Sequence, residues 1–182
     1  HAVARLTYPI EIGNQVIEPG IQAYTGKYNL APTQLSSGVK YRSDLTYVEQ
    51  RTAVSINLYP KPFGILAEYN VGKGPGYNVA ADSIEQRKLE GGFVTASYIL
   101  KKKAHTIIPY TRYQYYKGGK KQETDARWYK VNDLEMGVEW SPFKSFELTT
   151  AYVISERTFI DHKKQSNTQK GNLLRIQTQF NF

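Results

Sequence analysis

From Ala2 to the C-terminal Phe182, apolar and polar residues alternate with a period of two, in segments rich in Val, Ile, Thr and Tyr. No stretch carries an apolar stripe at helical spacing, so the pattern predicts an all-β chain. Nine strands follow from it, at roughly 2–12, 16–28, 45–59, 63–71, 89–100, 105–116, 131–140, 146–155 and 171–182. Leu134, Met136, Val138 and Trp140 share one strand face while Glu135, Gly137 and Glu139 share the other. Phe146, Leu148, Thr150, Tyr152 and Ile154 repeat the phase on the next strand.

Short and long connections alternate between these strands. GNQ, PKP, KKKA and SPFKS carry the Gly, Pro, Asn and Ser chemistry of tight turns. NLAPTQLSSGVKYRSD, GKGPGYNVAADSIEQRK, KGGKKQETDAR and ERTFIDHKKQSNTQK are polar and several times longer. An antiparallel up-and-down meander, short at one end and long at the other, predicts a transmembrane β-barrel with periplasmic turns and extracellular loops. Strands of about 9–11 tilted residues suffice to cross the hydrocarbon layer. In such a wall the apolar face meets lipid and the charged face lines water. Aromatic residues agree with two membrane interfaces: Tyr59, Phe63, Tyr98, Trp140, Phe143 and Phe146 stand beside the turns, and Tyr28, Tyr47, Tyr69, Tyr115, Tyr116 and Tyr129 beside the loops.

A long loop precedes the last strand, so the chain ends on the turn side and its first strand descends from the loop side. Bacterial barrels normally have an even strand number with both ends periplasmic. Nine strands are an incomplete set, and the expectation is one barrel domain, 1–182, forming the C-terminal portion of a larger barrel.

Composition narrows the picture. The 182 residues are 40% apolar with 15 Tyr, and no window approaches eighteen consecutive apolar residues, which excludes a helical membrane protein. Cys is absent, removing disulfides, thiolate catalysis and Cys-based zinc sites. The net charge of +8 admits nucleic acid, an anionic membrane surface or an anionic solute, and its placement decides among them.

Strand phase puts Arg5, Arg51, Arg112 and Arg175 on the water-lining face with Glu11, Glu18, Glu49, Glu68, Glu135, Glu139 and Glu147, four basic against seven acidic. The positive excess falls in the loops, at Lys117, Lys120, Lys121, Arg127, Lys130, Lys163, Lys164 and Lys170, and in the turns, at Lys61, Lys101, Lys102, Lys103 and Lys144. Basic loops either draw anions to the pore mouth or bind the phosphates of surrounding lipopolysaccharide. Lumen charges either tune selectivity or pair across neighbouring strands to stiffen the wall. Arg51 and Arg112 sit mid-strand, where a pore is narrowest, and are the better candidates for solute contact.

The segments VARLTYPIEI, IEPGIQAYTGKY, ILAEYNVGKGPGYN, GGFVTASYIL, IPYTRYQYYKGGKK and MGVEWSPFKSFELTTAYV resemble, in this order, the later strands of the phosphate-selective porin O and P family. The resemblance covers most of the chain. It implies a sixteen-stranded, trimeric channel in the bacterial outer membrane that passes small anions, with phosphate or polyphosphate favoured. The family's basic constriction loop and arginine ladder lie largely on strands that would precede His1, so none of those residues is carried over. On the last strand Leu174, Ile176, Thr178, Phe180 and Phe182 occupy the lipid face, while Arg175, Gln177, Gln179 and Asn181 face water. A terminal Phe180 and Phe182 pair on an alternating strand also resembles the signal read by the outer-membrane assembly machinery.

Other chemistries fit poorly. GKGPG lacks the GK[ST] ending and following helix of a phosphate-cradling loop, and its glycines are expected to supply positive φ angles in a loop entering the pore or a subunit contact. Asp161 and His162 invite comparison with barrel proteases, but His1, His105 and His162 lie at the chain start, a turn and a loop, without a second acid beside them. No catalytic residue, metal ligand or cofactor is assigned. Lys and Tyr interleave in YQYYKGGKK and RWYK, yet nine long strands with a lipid-like face exceed what a single-strand nucleic-acid binder needs. A soluble β-barrel or sandwich ligand-binding module is the remaining alternative.

Overall fold

The computed structural model describes residues 1–182 apart from Ala104, Lys164 and Phe182. One antiparallel sheet contains every strand: β1 (Ala2–Thr7), β2 (Ile10–Ile12), β3 (Gln15–Asn29), β4 (Thr46–Leu58), β5 (Phe63–Asn78), β6 (Ser83–Tyr98), β7 (Leu100–Lys102), β8 (His105–Gly119), β9 (Trp128–Phe143), β10 (Phe146–Ile160) and β11 (Ser166–Phe180). Both β1 and β2 pair with β3, and both β6 and β7 pair with β8, so the eleven segments occupy nine ladder positions in chain order. This is the expected up-and-down meander. The sheet is open: β1 and β11 do not pair with one another among the described residues.

Register fixes which residues share a face. Val54 lies opposite Tyr69, Ala67 opposite Val94, Thr111 opposite Met136, and Thr150 opposite both Val138 and Ile176, giving one continuous apolar face. Val54, Tyr69, Met136 and Ile176 on it are exposed, as a wall facing lipid requires. The other face is concave, because side chains two strands apart meet on it. Gln22 on β3 donates to Glu68 on β5 at 2.9 Å over Ala53 of β4. Arg175 on β11 meets Glu135 on β9 over Ala151 of β10. Both alanines are almost wholly covered, and a longer side chain at either would separate its neighbours.

The strands run well past the expected ends. Segments 72–78 and 83–88, read as loop from the sequence, are paired as β5 and β6 up to Asn78 opposite Ser83. Likewise 156–160 and 166–170 pair as β10 and β11. The regular alternation that a lipid-facing wall needs stops there, but backbone pairing continues, over exposed Lys73, Lys88 and Lys170 and over Tyr77 and Ile84, which are buried at the loop end. The sequence pattern therefore marks the lipid-crossing part of each strand rather than its whole length.

At the loop end the long connections fold together. Leu30, Val39, Tyr47, Tyr77, Ile84 and Ala126 form a small buried core, with Leu35 and Ile160 packed against it. The β5–β6 hairpin bends across the concave side until Gly76 meets Gly119: a Cβ added at Gly119 would come within 2.2 Å of the Pro75 carbonyl oxygen. The GKGPG glycines thus serve close backbone approach. Positive φ angles among the glycines occur instead at Gly13, Gly38 and Gly118, which corrects the expectation for this loop.

The loop-end tyrosines are corrected too. Only Tyr69 and Tyr115 of that set face outward, since Tyr28 pairs with Tyr47 and Tyr116 with Val131 on the concave side. Tyr47 and Tyr129 are buried there. At the turn end Phe63 lies opposite Tyr98, and Phe146 stacks near Phe143 and Phe180 with centroids 5.8 and 5.0 Å away.

Candidate functional site

The concave face carries the charges that strand phase assigned to it. Arg5 lies opposite Gln22, Glu11 opposite Val16, Glu18 opposite Asn57, Glu139 opposite Ile108 and Thr149, and Glu147 opposite Gln179. Three groupings stand out from these.

The first centres on Glu135. Arg175 Nη2 donates to its Oε1 at 2.6 Å and the Tyr110 hydroxyl donates to the same oxygen at 2.6 Å. Tyr110 stands opposite Gly137, whose missing side chain leaves room for the ring. With Glu135 so occupied, Arg112, directly opposite it in register, has no carboxylate partner among the described residues. Its guanidinium instead lies 4.4 Å from the Phe93 ring centroid, and its Nε is buried without a hydrogen-bond partner.

The second centres on Glu49, which is 2% exposed. Arg51 Nη2 approaches one carboxylate oxygen at 2.9 Å, and Lys121 donates to the other. Lys121 comes from the connection 120–127, which turns inward over the concave face, and its ammonium also sits 4.8 Å from the Tyr28 ring. Asp125, 1% exposed, holds that connection to the 30–45 loop by accepting from the Ser36 backbone N–H and hydroxyl, each at 2.7 Å. Gln34 adds a bond to the Gln122 carbonyl at 2.8 Å.

The third is a niche of about 390 Å³ lined by Asn70, Gln114, Tyr116, Lys120, Asp133 and Arg157. Asp133 accepts from Ser155 Oγ at 2.6 Å. Neither Lys120 nor Arg157 forms an ion pair among the described residues. Burial and, second to it, the Arg157 charge hold the Lys120 amine below the usual lysine pKa. Asp133 and Glu123 act in the opposite direction on Lys120, so the niche combines two cations with a carboxylate at its wall.

The expected loop cations divide into three groups. Lys120, Lys121 and Arg127 lie in the 120–127 connection and turn inward, Arg127 lying 5.7 Å from the Phe159 ring. Lys117, Lys130 and Lys170 stand on β8, β9 and β11 rather than in loops, because those strands extend beyond the membrane pattern. Lys163 is in the 161–165 connection, its backbone N–H donating to Asp161 at 3.0 Å. Lys164 and Phe182 lie outside the described residues. Sequence reading missed Arg157, since it ended that strand at Ser155; the parity of Val153 and Ser155, carried two residues further, would have found it. Asp125 gave no periodic signal at all, because it sits in a 3-10 turn with a positive φ of 57°.

Among the described residues no cluster of His, Asp and Glu is suited to hold a metal ion. No curated protein and no solved structure matches the chain. A family model described as phosphate-selective porin O and P matches residues 4–182. Its members are porins of the bacterial outer membrane, channels rather than enzymes, and the match sets aside the soluble ligand-binding alternative. With its up-and-down sheet, outward apolar face and charged concave face, this chain belongs to the phosphate-selective porin O and P family.

Proposed function

We propose that the chain forms the C-terminal portion of a water-filled pore through which small anions such as phosphate diffuse passively. The observation that carries this reading is the set of cations on the concave face that form no ion pair among the described residues: Arg112 beside Phe93, and Lys120 and Arg157 in an open niche that Asp133 also lines. Cations without carboxylate partners in a narrow aqueous passage raise the local concentration of anions and slow that of cations. Arg51 is the weaker of the two candidates, since it is already paired with Glu49, a carboxylate it shares with Lys121.

The open edges of β1 and β11 bear on the rest of the barrel. A strand edge in hydrocarbon leaves backbone N–H and C=O groups unsatisfied, at a cost of several kcal/mol each. Further strands therefore complete the wall, either preceding this segment or, less economically, from neighbouring copies. Assembly as a homotrimer, contact with lipopolysaccharide, and handling by the assembly machinery through Phe180 and Phe182 belong to the same reading.

Planar-bilayer reversal potentials in a chloride gradient test it. The expected potential has the sign of an anion-preferring pore, and phosphate on one side reduces the chloride current. Arg112→Ala lowers the anion preference; an unchanged ratio in that variant, or a cation-signed potential in the wild type, would overturn the proposal.

A further inference from the structure

The outward face of β4, β5 and β6 bears a groove that changes character along its length. Towards the turn end it is apolar, a space of about 470 Å³ walled by Val54, Tyr69 and Val94, closed on one side by Tyr113 of the neighbouring β8, and floored at Gly92, where no side chain fills it. Towards the loop end the same three strands line a second space of about 470 Å³ that holds Lys73 and Lys88. Glu90 marks the boundary, accepting from the Tyr69 and Tyr115 hydroxyls at 3.4 and 3.1 Å.

Register makes the basic end unusual. Lys73 lies directly opposite Lys88, and one strand further round Lys117 lies directly opposite Lys130. All four are exposed on the face that carries Tyr69 and Val94. Like charges directly opposite in an antiparallel ladder destabilise it. Lys73, Lys88 and Lys130 have no carboxylate partner among the described residues, and Lys117 approaches Glu90 only at 4.0 Å. A bridging anion removes the repulsion in each pair. It must come from outside the pore, because these side chains point away from the concave face.

We infer that this groove docks a phosphorylated glycolipid of the outer leaflet, with one phosphate between Lys73 and Lys88 and an acyl chain along Tyr69, Gly92 and Val94. A second phosphate on the same molecule reaches the Lys117 and Lys130 pair. The inference rests on the reading that the loop end faces outward from the cell. Charge and apolarity in sequence along one groove select an anionic amphiphile: a free phosphate leaves the apolar half empty, and a neutral lipid leaves the lysines unpaired.

The test extracts the porin from its own outer membrane in mild detergent and counts retained lipid by native mass spectrometry. About one bis-phosphorylated lipid A per protomer is expected on the wild type, and at least tenfold less on Lys73→Glu/Lys88→Glu. Ala67→Trp fills the apolar half without touching a charge and lowers the same occupancy; it serves as the readout if charge reversal prevents folding, which heat-modifiable gel mobility scores. Lys170→Glu, on the same face but beside Glu156, retains lipid A. Equal retention in all variants, or equal retention of phosphatidylglycerol supplied in place of lipid A, overturns the inference. Conductance separates this from the pore reading: a wild type that retains lipid A yet conducts nothing supports the groove and removes the pore.

Discussion

Arg175 on β11 crosses Ala151 on β10 to reach Glu135 on β9 at 2.6 Å, so the ion pair spans a strand it does not belong to. The covered alanine is what permits the bond, and the bond in turn holds three strands at a fixed curvature. Ala151→Leu inserts a branched side chain into that space. Overpacking of this kind costs about 1–3 kcal/mol, and the expected result is a lower unfolding temperature by heat-modifiable gel mobility. Arg175→Gln, whose pair is half exposed, costs about 1 kcal/mol or less.

The contact between Gly76 and Gly119 predicts a change in aperture. Gly119→Val places a side chain where the Pro75 carbonyl and Gly76 Cα now stand, so the β5–β6 hairpin lifts from the concave face. Single-channel conductance rises in this variant while the strand content measured by circular dichroism holds. Unchanged conductance would show that the hairpin does not narrow the passage.

Strand phase was enough to put Glu135 and Arg112 on the same, charged face, because a period of two survives any error in strand ends; that they stand directly opposite each other is a matter of register, which phase does not give. It could not reveal that Arg175 would take Glu135 and leave Arg112 free, since that choice depends on curvature and on a small residue in the intervening strand. The inward turn of Lys121 was equally hidden: it depends on Asp125 finding Ser36, eighty-nine positions away, and neither residue lies in a periodic segment. The outward lysine pairs were misplaced into loops for the reason given by the strand lengths, that hydropathy reports the lipid and not the ladder.

Asp125 gives a local stability prediction. Asp125→Ala removes two charge-assisted bonds to Ser36, at about 2–3 kcal/mol for the loop cluster after relaxation. Protease nicking within 30–45 is expected to begin at lower urea than in the wild type, with the strands still protected.

Glu49 gives a selectivity prediction. Glu49→Gln leaves Arg51 and Lys121 without their shared carboxylate and adds net positive charge to the concave face. The reversal potential in a chloride gradient shifts further toward anions, opposite in sign to the shift of Arg112→Ala. A shift toward cations would mean that Lys121 leaves the passage when its partner is neutralised.

The core of Leu30, Val39, Tyr47, Tyr77 and Ile84 lies at the mouth, in water, whereas Val54, Met136 and Ile176 meet hydrocarbon. Only the first group is held together by the hydrophobic effect; lipid tails are as apolar as the side chains they touch, and give the wall no such driving force. Apolar association in water weakens on cooling and with urea. One polypeptide is thus ruled by two solvents, and the packing of its loop end answers to changes in the aqueous phase that leave its wall unmoved.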